Sequence, residues 1–205
     1  MGFEPTDLVT QLTREHRQLQ LLASAAGGPA AGDRAGGDSG AGAPASRRRL
    51  VERLAIELSR HLVAEDWYLL PVIAETMADG PAAVRLRRRD RELLEQRLGD
   101  VERLTHGDGD PAALTALRDA LRDHADRDES LTFPLLSAAA TGQLLDQRGY
   151  LAGADREEFY QLLRGGPDSR FLCPERLAPG RDTVERVWRT MAGPRRLLAE
   201  PGSPR

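Results

Sequence analysis

Leucines recur along the start of the chain at helical spacing: Leu8, Leu12, Leu19 and Leu22. Residues three and four apart share one face of a helix, so this stripe predicts an amphipathic helix, capped by Thr6 or Asp7 and ending near residue 26. From 27 to 46 the chain is almost wholly Gly, Ala, Pro, Asp and Ser. Such a stretch buries too little apolar surface to offset the entropy of ordering it, and reads as a flexible loop. Ser46 can cap a second helix, whose first stripe is Leu50, Leu54, Leu58 and Leu62 and which runs to about residue 78. The turn signal Asp79-Gly80-Pro81 precedes a third helix, about 82 to 105, with Leu86, Leu93, Leu94, Val101 and Leu104 facing inward. The stretch Gly107-Asp108-Gly109-Asp110-Pro111 ends it and opens a fourth, with Asp110 as cap and Pro111 at the first helical position. That helix carries Leu114, Leu117 and Leu121 to about residue 142. No period-two run rich in β-branched residues stands out. The expected fold is all-α: an antiparallel four-helix bundle with one long loop.

The chain changes texture after residue 142. Residues 143–205 offer short helices near 155–164 and 182–192, separated by Gly- and Pro-rich links, and carry Tyr150, Phe159, Tyr160, Phe171 and Trp188. The division expected is a bundle over 1–142 and a separable helical appendage over 143–205. The appendage would pack on the bundle, cover a pocket, or offer a surface to a protein partner.

Composition narrows the function classes. A hydrophobic share of 40% and a charged share of 30% are those of a soluble globular protein. A net charge of -3 gives no bulk reason to expect nucleic acid or an anionic membrane as partner. All 29 basic residues are Arg, so runs such as Arg47–Arg49 and Arg87–Arg89 read as solvated helix faces and not as binding signals. The single cysteine, Cys173, excludes an intrachain disulfide and fits a reducing compartment as a small buried side chain. With no apolar run of signal-peptide or membrane-spanning length, the expected location is cytoplasmic.

The chemistry lies in an internal repeat. Leu54, Leu58, His61, Glu65 and Pro71 on the second helix match Leu117, Leu121, His124, Asp128 and Pro134 on the fourth, at one constant offset. Residues four apart lie on one helix face, so His61 with Glu65, and His124 with Asp128, each present a nitrogen beside an oxygen. In an antiparallel bundle both pairs can reach the same axial level. Buried carboxylates without cations would raise one another's pKa, and a pair of metal ions would resolve that conflict. Glu129, one position off the preferred face, is the alternative to Asp128. On the first helix His16 lies four residues after Leu12 and three before Leu19. Matching Leu86 to Leu12 and Leu93 to Leu19 puts Asp90 in the corresponding place on the third helix. His106, before the Gly-rich turn, reads as an exposed loop residue.

With these elements in place, residues 6–141 resemble the hemerythrin-like, or HHE cation-binding, domains. In that family a His on each helix and H-x-x-x-E elements on the second and fourth helices hold an iron pair. The resemblance implies His16, His61, Glu65, His124 and Asp128 as ligands. It also implies two iron ions as the cofactor, with manganese or zinc as the other metals such a donor set would take. The family's third-helix histidine is missing, and Asp90 stands in its place. A site with three carboxylates is harder than an imidazole-rich one and favours ferric iron over reversible oxygen carriage. The leading expectation is a non-haem di-iron protein that binds and activates O2, as an oxidase or oxygenase of a small molecule. Trp67, Tyr68 and Phe133 are candidates to line its cavity. The alternatives are a non-catalytic sensor or store for O2, NO or iron, and a metal-free interaction module. Retention of both H-x-x-x-[ED] elements argues against the last.

Overall fold

The computed structural model describes residues 6–27, 42–105 and 112–165, together with Val187 and Arg189. Most of the expected 27–46 loop, His106 with the turn that follows it, Cys173 and nearly all of the expected 182–192 helix lie outside these residues. Seven α-helices are described: α1 (Leu8–Gly27), α2 (Gly42–Ala64), α3 (Leu70–Thr76), α4 (Gly80–Thr105), α5 (Ala113–Arg127), α6 (Phe133–Ala139) and α7 (Gly142–Gly165). No strand occurs among the described residues, and none of the described helices is long and apolar enough to cross a membrane. Asp7 caps α1, its Oδ1 accepting from the Thr10 backbone N–H at 3.1 Å, as Ser, Thr and Asp do at helix starts. The second helix begins at Gly42, ahead of the Ser46 cap expected for it.

α2 and α3 are one rod joined by a π-helical turn, Glu65–Leu69, and α5 and α6 are joined in the same way by Asp128–Thr132. Each turn closes with an i→i−5 hydrogen bond: Leu70 N–H donates to the Glu65 carbonyl, and Phe133 N–H to that of Asp128. The cause is the next residue. Pro71 and Pro134 have no N–H, and in a regular α-helix their rings would strike the carbonyl four residues back. Widening the turn by one residue relieves the clash and lets the helix run on. The paired prolines of the repeat thus become paired π turns, each opening on a carboxylate of the repeat.

The rods pack in a ring, α1 beside α2, α2 and α3 beside α4, α4 beside α5, and α5 beside α1. One apolar layer joins Leu19 and Leu22 of α1 to Leu54 and Leu58 of α2, Leu94 and Leu98 of α4, and Leu117 and Leu121 of α5. The other joins Leu8 and Leu12 to Tyr68 and Ile73, and to Phe133 and Leu136. Rising residue numbers on α1 run against falling ones on α2, so the helices alternate in direction. The expected antiparallel bundle is present. Between the two apolar layers lies a polar one.

Two features depart from the sequence reading. Leu86 and Leu93 are 55% and 44% exposed, while Arg87, Leu94, Leu98 and Val101 are buried, so α4 is turned relative to the expected register. The short helix expected at 155–164 is the end of the longer α7, whose Leu145 and Ala152 join the layer of Leu8 and Leu12. Gly149 sits so close to the start of α1 that a Cβ there would overlap the backbone of Thr6, Asp7 and Leu8. Farther along α7, Phe159 packs with Val63 and the buried Val187.

Candidate metal centre

Three imidazoles meet in the polar layer. His16 of α1, His61 of α2 and His124 of α5 stand edge-on, with ring centroids 4.9, 5.2 and 5.7 Å apart. One nitrogen of each and one carboxylate oxygen of Glu65 lie within 4.8 Å of one another, and all four residues are buried. Glu65 Oε1 is 3.4 Å from His124 Nε2 and 3.7 Å from His61 Nε2. Donors held about 2.1 Å from a tetrahedral ion stand about 3.4 Å from each other, so these separations fit a first-row divalent metal.

The hydrogen-bond inventory fits the same group. His16 Nε2, His61 Nε2 and His124 Nε2 are buried, and none makes a hydrogen bond. Leaving such an atom unpaired costs about 1–3 kcal/mol, and a shared metal ion would satisfy all three nitrogens at once. On the far side of two of the rings, His61 Nδ1 lies 3.0 Å from Glu15 Oε2, and His16 Nδ1 lies 3.1 Å from Glu129 Oε1. An ionised carboxylate only accepts, so each Nδ1 donates its proton and each Nε2 keeps its lone pair for the centre.

Charges enforce that assignment. Glu15 is 1% exposed, and burial alone would push its carboxyl up; Arg60 beside it and the His61 hydrogen bond overcome this and hold it far below the carboxylate range. Arg60 Nη1 donates to Glu15 Oε1 at 2.9 Å, and Gln11 Nε2 donates to the same oxygen at 2.8 Å. Burial and then the neighbouring His61 and His124 push His16 well below the usual histidine range, which keeps it in the neutral form that binds metals. Burial would likewise raise Glu65, but Arg87, His124 and His61 hold it well below its ordinary value, so it is ionised.

The structure distributes the expected ligands unevenly. His16, His61, Glu65 and His124 converge. Asp128 is fully buried beside them, its Oδ2 3.8 Å from both His16 Nε2 and His124 Nε2, and it is engaged by Arg87. Glu129 lies at the outer nitrogen of His16, with its side chain 38% exposed. Asp90 is not brought to the cluster: α4 directs it to an ion pair with Arg127 of α5. Of the three aromatics, Phe133 stacks on His16 at 5.7 Å with rings nearly parallel. Tyr68 turns away to hydrogen-bond Asp155 of α7, and Trp67 lines a surface groove between α3 and α4.

Three participants escaped the sequence reading. Glu15 falls on the α1 stripe of Leu8, Leu12, Leu19 and Leu22, where a charge needs a reason. Arg87 continues the true buried register of α4, read backwards from Val101, Leu98 and Leu94. Arg87 was expected on a solvated face and is instead 7% exposed. Arg60 carries no comparable signal, since its place is fixed by Glu15 on another helix.

An antiparallel bundle with imidazoles and a carboxylate gathered midway along its axis defines a helical metal-binding domain. The family model of the hemerythrin HHE cation-binding domain matches residues 7–136, and the chain belongs to that family. No curated protein and no solved structure matches it.

Proposed function

We propose that this domain binds iron between His16, His61, His124 and Glu65 and uses it to bind and activate O2. The observation that carries this reading is the gathering of three buried histidines, each with an unpartnered Nε2, around the Glu65 carboxylate. Bound iron would supply a Lewis acid and a source of electrons for a diatomic ligand. The chain's own contribution is preorganisation. Glu15 and Glu129 hold protons on the outer ring nitrogens, Arg60 and Gln11 fix Glu15, and Phe133 covers one face of His16. The reaction class that follows is oxidation of a small molecule by O2.

One observation favours a second reading, in which the domain senses O2 or NO and reports it. A polar chain leads from His61 through Glu15, Arg60 and Glu57 to Tyr160 on α7. A change in charge at the centre would be felt first along that chain.

The test is to load the full chain with ferrous iron without air and mix it with O2 in a stopped-flow spectrometer. The expected result is an absorbance change that is lost in His61→Ala. Repeated O2 consumption with an added reductant marks an activator, and a single stoichiometric uptake marks a sensor. Protein that retains no iron would sink both.

A further inference from the structure

Opposite the histidines, α4 sends a cation into the centre. Arg87 Nη2 donates to Glu65 Oε1 at 2.6 Å and to Asp128 Oδ2 at 2.6 Å, and Nη1 pairs with Asp128 Oδ1. The same two oxygens face the histidines on their other side, Glu65 Oε1 at 3.4 Å from His124 Nε2 and Asp128 Oδ2 at 3.8 Å from His16 Nε2. Each carboxylate therefore stands between a group of imidazole nitrogens and a guanidinium. That is the place a bridging carboxylate takes between two cations.

We infer that the Arg87 guanidinium is the second cation of this centre, so that the site takes one metal ion where its paired H-x-x-x-[ED] elements would otherwise hold two. The inference rests on the reading of the histidine cluster as a metal site.

Charge and donor supply both point this way. The buried carboxylates Glu15, Glu57, Glu65 and Asp128 face the buried guanidiniums Arg60 and Arg87, which leaves two negative charges. One divalent ion neutralises that group, whereas a second would leave it with two positive charges in a medium that solvates charge poorly. Arginine cannot lose its proton under ordinary conditions, so it can neither ligate a metal nor withdraw its charge from the site. Beside Arg87, the same helix presents a cation and an acid that is already paired. Its next inward position is Arg91, bound to Asp66 and Glu95, and Asp90 is bound to Arg127.

The experiment is an anaerobic titration of the full chain with ferrous ion, followed by desalting and elemental analysis. Wild type should saturate at one ion per chain and, once oxidised, show the EPR signal of an isolated high-spin ferric ion and not the silence of a coupled pair. Arg87→His should rise to two ions, and Arg87→Lys, which keeps the charge, should stay at one. Two ions in wild type would overturn the inference and leave the metal reading standing. One ion in both wild type and Arg87→His would show that Arg87 is not what excludes the second. No ion in wild type would refute the metal reading itself, and the inference with it. Should Arg87→His fail to fold, wild-type stoichiometry and its EPR signal still decide the matter.

Discussion

Glu15 and His61, on neighbouring helices, share a buried hydrogen bond of 3.0 Å in which the imidazole Nδ1 is the donor and the carboxylate the acceptor. The bond fixes both the tautomer and the direction of the His61 ring. Such outer partners of ligating histidines are worth about 10–100-fold in metal affinity. Glu15→Gln, which can turn its amide oxygen to His61 but loses the charge, should weaken metal binding by roughly the lower end of that range. Glu15→Ala should do more harm, because it leaves Arg60, at 2% exposure, with Glu57 as its remaining carboxylate partner; breaking a buried pair costs up to about 3–5 kcal/mol, and Glu57 should keep the loss below that. Competition with a chelator measures the first effect and urea unfolding the second. Unchanged affinity in Glu15→Gln would remove Glu15 from the site.

Asp90 and Arg127 give the opposite expectation. Their ion pair is partly exposed, and pairs of that kind contribute roughly 0–1 kcal/mol. Asp90→Ala should therefore leave metal content unchanged and lower stability by less than about 1 kcal/mol. A variant that lost its metal would mean that Asp90 reaches the centre after all.

Asp155 makes the docking of α7 sensitive to pH. Burial, and then the neighbouring Glu158, raise its carboxyl to about 6 from the ordinary 3.8, while Tyr68 holds its Oδ2. The folded state thus prefers the protonated acid. Its contribution is complete below about 3.8 and is lost as the pH climbs through about 6. Glu15 and Glu65, held far below the usual range, stay ionised in the fold while their unfolded forms take up protons near 4.5, so they oppose the gain, mostly below about pH 5. His16, held neutral in the fold while its unfolded form takes up a proton near 6.5, works against this gain, so it is the melting temperature of wild type relative to Asp155→Asn that should rise between pH 7 and pH 5. An equal slope in the variant would rule Asp155 out as its source.

Gly149 tests whether α7 belongs to the bundle. In an isolated helix Gly→Ala gains about 0.5–1 kcal/mol. Here the added Cβ would meet the backbone of Thr6, Asp7 and Leu8, which cannot yield as a side chain can. Gly149→Ala should destabilise by about 1–3 kcal/mol, the usual range for overpacking, as read by chemical denaturation. A stabilised variant would show that α7 rides loosely on α1.

Where the sequence was readable, it was so for a physical reason. Leu8, Leu12, Leu19 and Leu22 repeat on one face with no competing stripe, so α1 could be placed and phased at once. The repeated histidines and carboxylates declared their common level because His61 and His124 sit at equal distances from Pro71 and Pro134. On α4 leucines occur on both faces, and phasing on Leu86 and Leu93 chose the exposed one. Asp90 followed that choice outward, and Arg87 was hidden among neighbouring arginines that are indeed solvated. The bonds from Arg60 to Glu15 and from Tyr68 to Asp155 cross between helices, where no spacing along one helix can announce them.

The two π turns have a consequence for how the rods transmit rotation. Each holds an extra residue, which advances everything beyond it by roughly 100° relative to an uninterrupted helix. The face that α2 gives to His61 and the face that α3 gives to Ile73 are therefore set independently, like two shafts joined through a coupling. The same holds for His124 on α5 and Leu136 on α6. Losing a single residue from Glu65–Leu69 would return the turn to α geometry and keep both His61 and Ile73 facing the core, at the cost of the Pro71 clash that the wide turn relieves. Gain and loss of length in this fold are consequently not equivalent: the coupling already holds one residue too many and can give it up, whereas a further residue would turn one shaft against the other.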